Sequence, residues 1–191
     1  LKVIGISGSP RPNGNTEILL QKTLEPFKEK SWKVVEFYLS KKKVFPCDGC
    51  DKCMDSLECV IDDDMKILYK EFQNFDALIV ASPTYYRNVS AQLKAVIDRT
   101  YALTNSQSLK GKLGGAITVG RGEGGGQSFT LSIIHNFFLS SGMICIPGEL
   151  NGVSAKANKV GDILTQSKRL HQARVLGENM LHYYESKSAP K

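Results

Sequence analysis

At 191 residues, 41% apolar and 23% charged, the chain is sized and composed for one domain with one core, residues 1–191, and is too apolar to be disordered. Apolar runs such as ALIVA are far too short to span a bilayer, so no membrane partner is expected. The formal net charge of +6 points toward a polyanion, but the basic residues are dispersed apart from Lys41–Lys43, and no nucleic-acid partner is expected. The chain enters a strand pattern at once, with no basic head, apolar stretch and cleavage site, so a cytoplasmic location is expected.

Residues 2–7, KVIGIS, read as a buried strand. The loop GSPRPNGNT over 8–16 follows, then a helical pattern to about residue 30. A Ser-, Gly- and Asn-rich loop between strand and helix offers backbone N–H groups at a helix N-terminus. Ser9, Asn15 and Thr16 add hydroxyl and amide donors, and Arg11 adds a planar fork suited to phosphate. The loop reads as a phosphate cradle. It lacks G-x4-GK[ST], which argues against a nucleoside triphosphatase.

A second strand over 33–39 feeds CDGCDKCMDSLEC, which holds four of the five cysteines, Cys47, Cys50, Cys53 and Cys59. Thiolates at i, i+3 and i+6 can wrap one compact object from a single loop, and a fourth can close the shell. The loop, taken as 44–62, suits a four-iron cluster better than structural zinc, which usually draws ligand pairs from separated turns. Zinc stays open as the alternative. A disulfide framework is not expected in a chain of this length without a secretion signal.

Asp62, Asp63 and Asp64 read as helix caps rather than metal ligands. The apolar run over 76–82 is the third strand. Then comes PTYYRNVSAQLKAVIDR, a loop followed by an amphipathic helix. Its Pro83, Thr84, Tyr85 and Tyr86 can lie against a flat ligand, and Arg87 can reach an anion. A fourth strand over 113–119 precedes GRGEGGGQS. Gly120, Gly122 and Gly125 satisfy G-x-G-x-x-G, but in this place they read as a loop that lets backbone approach a ring system. A helix over 127–140, a fifth strand over 142–147 holding a buried Cys145, and a final helix over about 161–184 complete the pattern. His135, His171 and His182 receive no catalytic role.

Strands alternating with helices imply an α/β three-layer fold, with a parallel sheet and helices on both faces. Five strands at this spacing suit the flavodoxin-like order 2-1-3-4-5, with the cysteine loop inserted after strand 2. Ligands then bind at the carboxyl ends of strands 1, 3 and 4. A phosphate cradle, an aromatic pair and a glycine loop meet there, which fits FMN. With the charges of a four-iron cluster and a flavin phosphate counted, the net charge falls to roughly +2.

GSPRPNGNT, SPTYYRNVSAQLKAVIDR and GGGQSFTLSIIHNFFLSSGM together resemble the NADPH-dependent FMN reductase superfamily. With the cysteine loop they resemble, more closely, the iron–sulfur flavoproteins of anaerobic archaea and bacteria, over about residues 2–150. The resemblance implies FMN-phosphate contacts at Ser9, Arg11, Asn15 and Thr16, and ring-side contacts at Pro83 to Tyr86 and the loop from Gly120 to Gly125. It implies a [4Fe-4S] cluster on Cys47, Cys50, Cys53 and Cys59. It further implies electron transfer from a ferredoxin-like donor through the cluster to FMN and on to an acceptor, in a homodimer or homotetramer. One departure is Arg87, where the wider family often has Gly; it narrows the expected access for a nicotinamide. The rivals are an NAD(P)H-dependent FMN or quinone reductase with a structural zinc loop, and a non-enzymatic flavodoxin-like interaction module.

Overall fold

The computed structural model describes residues 1–56, 58–122 and 126–188. Five strands run in parallel in the order β2-β1-β3-β4-β5, with β1 at Lys2–Ser7, β2 at Lys33–Tyr38, β3 at Ala77–Pro83, β4 at Leu113–Gly120 and β5 at Ile144–Cys145. The expected order is the one observed. Each central strand is buried on both faces, which explains its continuous apolar run.

The helices are α1 at Asn15–Glu29, α2 at Lys52–Ser56, α3 at Met65–Phe72, α4 at Ala91–Arg99, α5 at Gly126–Ser140 and α6 at Ser167–Ser188. Period-2 alternation divides the sheet residues between two cores. Val3, Ile79, Ala81 and Ile117 pack against Leu20, Leu24 and Phe27 of α1 and Leu176 and Met180 of α6. Ile4, Ile6, Leu78 and Val80 face the other way, toward Leu68 and Phe72 of α3, Leu93 and Val96 of α4, and Ile134 and Phe138 of α5.

Three elements differ from the sequence expectation. The fifth strand is split. Ile144–Cys145 pairs with the start of β4, the chain then leaves the sheet, and β6 at Val153–Lys156 rejoins β4 in parallel at its far end. Pro147, which has no N–H to donate to a ladder, lies just past the break. The last helix begins at Ser167, after a separate 3-10 turn at Asp162–Thr165. The cysteine loop contains a short helix of its own, α2.

The loops after β1 and β3 are bonded to each other. Ser90 caps α4 by accepting from Leu93 N at 3.2 Å, and its hydroxyl donates to Gly8 O at 2.5 Å. A Cβ on Gly8 would lie 2.7 Å from Leu93 Cβ, so glycine is what allows α4 to come this close.

Candidate functional site

A cavity of about 580 Å³ opens at the carboxyl ends of β1, β3 and β4. Ser9, Arg11, Asn15 and Thr16 line it from the first loop, Pro83, Thr84, Tyr85 and Arg87 from the third, and Gly120 and Gly122 from the fourth. The three loops singled out in the sequence therefore share one space. Gly125 lies outside the described residues. Tyr86 does not line the cavity and is fully exposed.

The floor is built by α1. Gly14 is its N-cap and brings no side chain to the first-turn N–H groups, which have no side-chain cap among the described residues. Anions bind well at such a terminus. The loop is held from beneath by Glu17, a buried carboxylate that accepts from Asn13 N at 2.6 Å and from Ser40 Oγ at 2.8 Å. Ser9 is also occupied: its Oγ accepts from Arg11 N at 3.1 Å and folds the loop back on itself. Asn15 uses its whole amide to tie down the chain after β6. Its Nδ2 donates to Lys159 O at 2.7 Å, and its Oδ1 accepts from Ile163 N at 3.2 Å. Ser9 and Asn15 thus shape the cradle as well as lining it, beside Arg11 and Thr16.

The segment after β6 contributes Ala157, Asn158 and Val160 to the wall, a side of the site that the sequence reading missed. The signal present was Asp162, whose Oδ2 accepts from the N–H groups of Asn158 and Lys159, each at 2.8 Å. Arg121 and Gln127 also line the space. Arg11, Arg87 and Arg121 are its charged lining, with no carboxylate among the described lining residues. That balance suits a phosphorylated ligand whose ring gains negative charge on reduction.

The third loop is a tight turn in which Tyr85 and Asn88 exchange two backbone hydrogen bonds, both 2.9 Å. Its central residues, Tyr86 and Arg87, have φ of 48° and 61°. Side chains with a Cβ rarely adopt this conformation, and each such residue costs about 1–2 kcal/mol. Beside the turn, Thr84 Oγ1 is buried without a hydrogen-bond partner among the described residues. An orphaned hydroxyl on the wall of a cationic, aromatic-edged cavity fits a ligand that supplies the missing partner. The residues present fit FMN.

The cysteine loop is fixed at both ends. Arg99, at the end of α4, is fully buried and pairs with the equally buried Asp63 at 2.9 Å. Its Nη1 also donates to Phe45 O at 3.0 Å and its Nη2 to Ile61 O at 3.4 Å. Asp63 in turn accepts from Phe45 N at 2.8 Å and Met65 N at 2.9 Å. The middle of the loop is open to solvent, with Cys47 and Cys50 exposed and Cys53 and Cys59 half-buried. Gly49 and Asp51, with φ of 69° and 56°, reverse the chain between them. Burial pushes the Cys53 thiol up, and the nearby Cys59, Cys47 and Cys50 add to the rise. Among the described residues, no group of three or more His, Cys, Asp or Glu side chains is drawn together closely enough to hold a metal ion. All four thiols are free, and as a donor set they fit a thiolate-ligated centre.

A family profile described as NADPH-dependent FMN reductase matches residues 1–157. An iron-sulfur flavoprotein of Methanocaldococcus jannaschii is 39% identical over 184 residues, covering 94% of this chain and 95% of that protein. The chain belongs to the iron–sulfur flavoprotein family, within the FMN reductases. A family member from Methanosarcina thermophila is 41% identical over 147 residues, 76% of this chain and 77% of that one. One from Archaeoglobus fulgidus is 36% identical, covering 98% and 82%. Among solved structures, a flavodoxin from the domain Archaea superposes with a TM-score of 0.63 at 18% identity, covering 97% of this chain and 99% of that one. A flavodoxin-type WrbA-like protein from Agrobacterium tumefaciens gives 0.64 at 18% identity, covering 95% and 98%. These two bear on the fold, which is flavodoxin-like. Family membership assigns a flavin-based redox function with FMN as the flavin. No helix among the described residues is long and apolar enough to cross a membrane.

Proposed function

We propose that this protein takes electrons from a ferredoxin-like donor through a [4Fe-4S] cluster held by Cys47, Cys50, Cys53 and Cys59. The electrons pass to FMN and on to an acceptor, and the protein works as a homodimer or homotetramer. The observation that carries the reading is the pairing of one cationic cavity, built by three loops, with a four-thiol loop clamped after β2 on the same edge of the sheet. The family names of the relatives support both cofactors.

When bound, a cluster passes single electrons and FMN stores one or two. The chain's own residues do the rest. The open N–H groups of α1 and Arg11 hold the phosphate, and Ser9, Asn15 and Glu17 keep the cradle in shape. Thr84 and Tyr85 would orient the ring, and Arg87 and Arg121 would offset the negative charge that reduction adds. Cys47, Cys50, Cys53 and Cys59 supply four thiolates, and Arg99 with Asp63 fixes the two ends from which they project. No acid–base or nucleophilic side chain is required.

The test is anaerobic reduction of bound FMN by reduced ferredoxin, in the parent protein and in Cys53→Ser. The reading expects fast reduction in the parent and loss of both iron and ferredoxin-dependent reduction in the variant. Unchanged iron and unchanged reduction would overturn it. Rapid bleaching by NADPH in a colourless-metal, zinc-loaded protein would instead support a nicotinamide-dependent reductase with a structural zinc loop.

A further inference from the structure

A second cavity, of about 740 Å³, lies away from the flavin loops, between α3 and the segment that leads into β4. Cys59 forms part of its wall. Four lysines surround it. Lys66 and Lys70 lie one turn apart on α3, and Lys110 and Lys112 come from the facing segment. Glu58 is the sole carboxylate among the described lining residues. Three of the ammonium groups have partners, of which only the Lys66 partner is a carboxylate. Lys66 sits 2.8 Å from the exposed Asp62, Lys110 lies 3.2 Å from the Gln107 amide oxygen, and Lys112 stands over the Phe75 ring at 5.5 Å. Lys70 has no ion-pair partner among the described residues.

Lysine ammonium groups repel each other, and holding four around one space with a single carboxylate favours a negative occupant. The space falls in the range of small-molecule sites, about 300–1,000 Å³, and exceeds what a bare inorganic anion fills. Leu103 and Tyr69 give it an apolar side. The Tyr69 hydroxyl is committed to Arg99 O at 2.8 Å, so this wall is fixed to the pair that clamps the cysteine loop.

We propose that this cavity is a second ligand site, which takes a small organic anion with a flat apolar body and a carboxylate or sulfonate head. The head sits among Lys66, Lys70 and Lys110, and the body lies along Leu103 and Tyr69. The ligand then rests against Cys59, on the side of the cysteine loop that the flavin cavity does not reach.

The test is calorimetric titration of 2-naphthalenesulfonate into the FMN-loaded protein at low salt. One site per chain is expected, weakened at least tenfold in Lys70→Glu/Lys110→Glu, with FMN content unchanged. Lys70→Gln, a milder change, should weaken it severalfold. Neutral 2-naphthol should bind at least tenfold more weakly than the sulfonate. No binding to the parent protein, equal binding to the charge-reversed variant, equal affinity for inorganic phosphate, or a loss of affinity in Arg87→Ala instead would each overturn the proposal.

Discussion

Arg99 and Asp63 form an ion pair sealed from solvent, 2.9 Å from Nη1 to Oδ2, and between them they bond to both ends of the cysteine loop. The two residues are 36 positions apart, so α4 of the flavin-binding frame is joined to the cysteine loop through one guanidinium. Breaking such a pair on one side leaves a buried charge uncompensated, at about 3–5 kcal/mol. Asp63→Ala should therefore be destabilised by about that much in denaturant unfolding. Asp63→Leu/Arg99→Met should regain much of the stability, because neither charge remains. It should still show faster limited proteolysis between residues 44 and 62, because Phe45 and Ile61 lose their anchor.

The same pair predicts an acid limb. Burial works to raise the Asp63 carboxyl, but the Arg99 guanidinium and the N–H groups of Phe45 and Met65 outweigh it and hold the carboxyl below its usual value. A carboxyl depressed in the folded state contributes stability that is complete above its unfolded value, about 3.9, and is lost as pH falls through the folded value. Stability of the parent should fall steeply below about pH 4, and the Asp63→Asn profile should be flatter there. Urea midpoints collected from pH 3 to 7 read this directly.

Thr84 offers a test of the flavin cavity. Its buried Oγ1 has no partner among the described residues, so Thr84→Val removes an unsatisfied polar atom at nearly constant shape. The FMN-free protein should keep its stability or gain slightly. FMN affinity should drop by about 1 kcal/mol, roughly fivefold, because the ligand loses one hydrogen bond. Quenching of free FMN fluorescence on binding gives the affinity. Equal affinity in the two proteins would take Thr84 out of the site.

Arg87 occupies a backbone position, φ 61°, that glycine adopts without penalty, and it lines the cavity. Arg87→Gly should raise stability by up to about 1 kcal/mol as the strain is relieved. It should also widen the ring-side opening, so that NADPH reduces bound FMN faster than in the parent, as stopped-flow absorbance would show. A variant that is less stable and no faster with NADPH would mean that the side chain has a holding role that outweighs the strain.

Strands β1, β3 and β4 were legible because a parallel strand covered on both faces is a short, largely apolar run, and the edge strand β2 was legible from its KVVEFY pattern. The flavin loops were legible because each follows such a run. The fifth strand was not, since its second half, VSAK, is short and weakly apolar, and only pairing with β4 makes it a strand. Missing β6 meant missing the wall made by Ala157, Asn158 and Val160. Asn15 read as a phosphate ligand, and it lines the cavity; that its amide also holds residues 159 and 163, more than 140 positions away, no local pattern discloses. Arg99 read as the end of an amphipathic helix, because nothing near it in the chain points to Asp63. Tyr86 read as a cavity wall, and the turn conformation aims it into solvent.

The proposed function places two cofactors on one chain. The most direct measurement is the content of iron, acid-labile sulfide, zinc and FMN in a single anaerobically purified sample, for the parent and for Cys53→Ser. About four iron, four sulfide and one FMN per parent chain are expected, with FMN kept but iron and sulfide lost in the variant. One FMN with one zinc and no sulfide in the parent would contradict the proposed function.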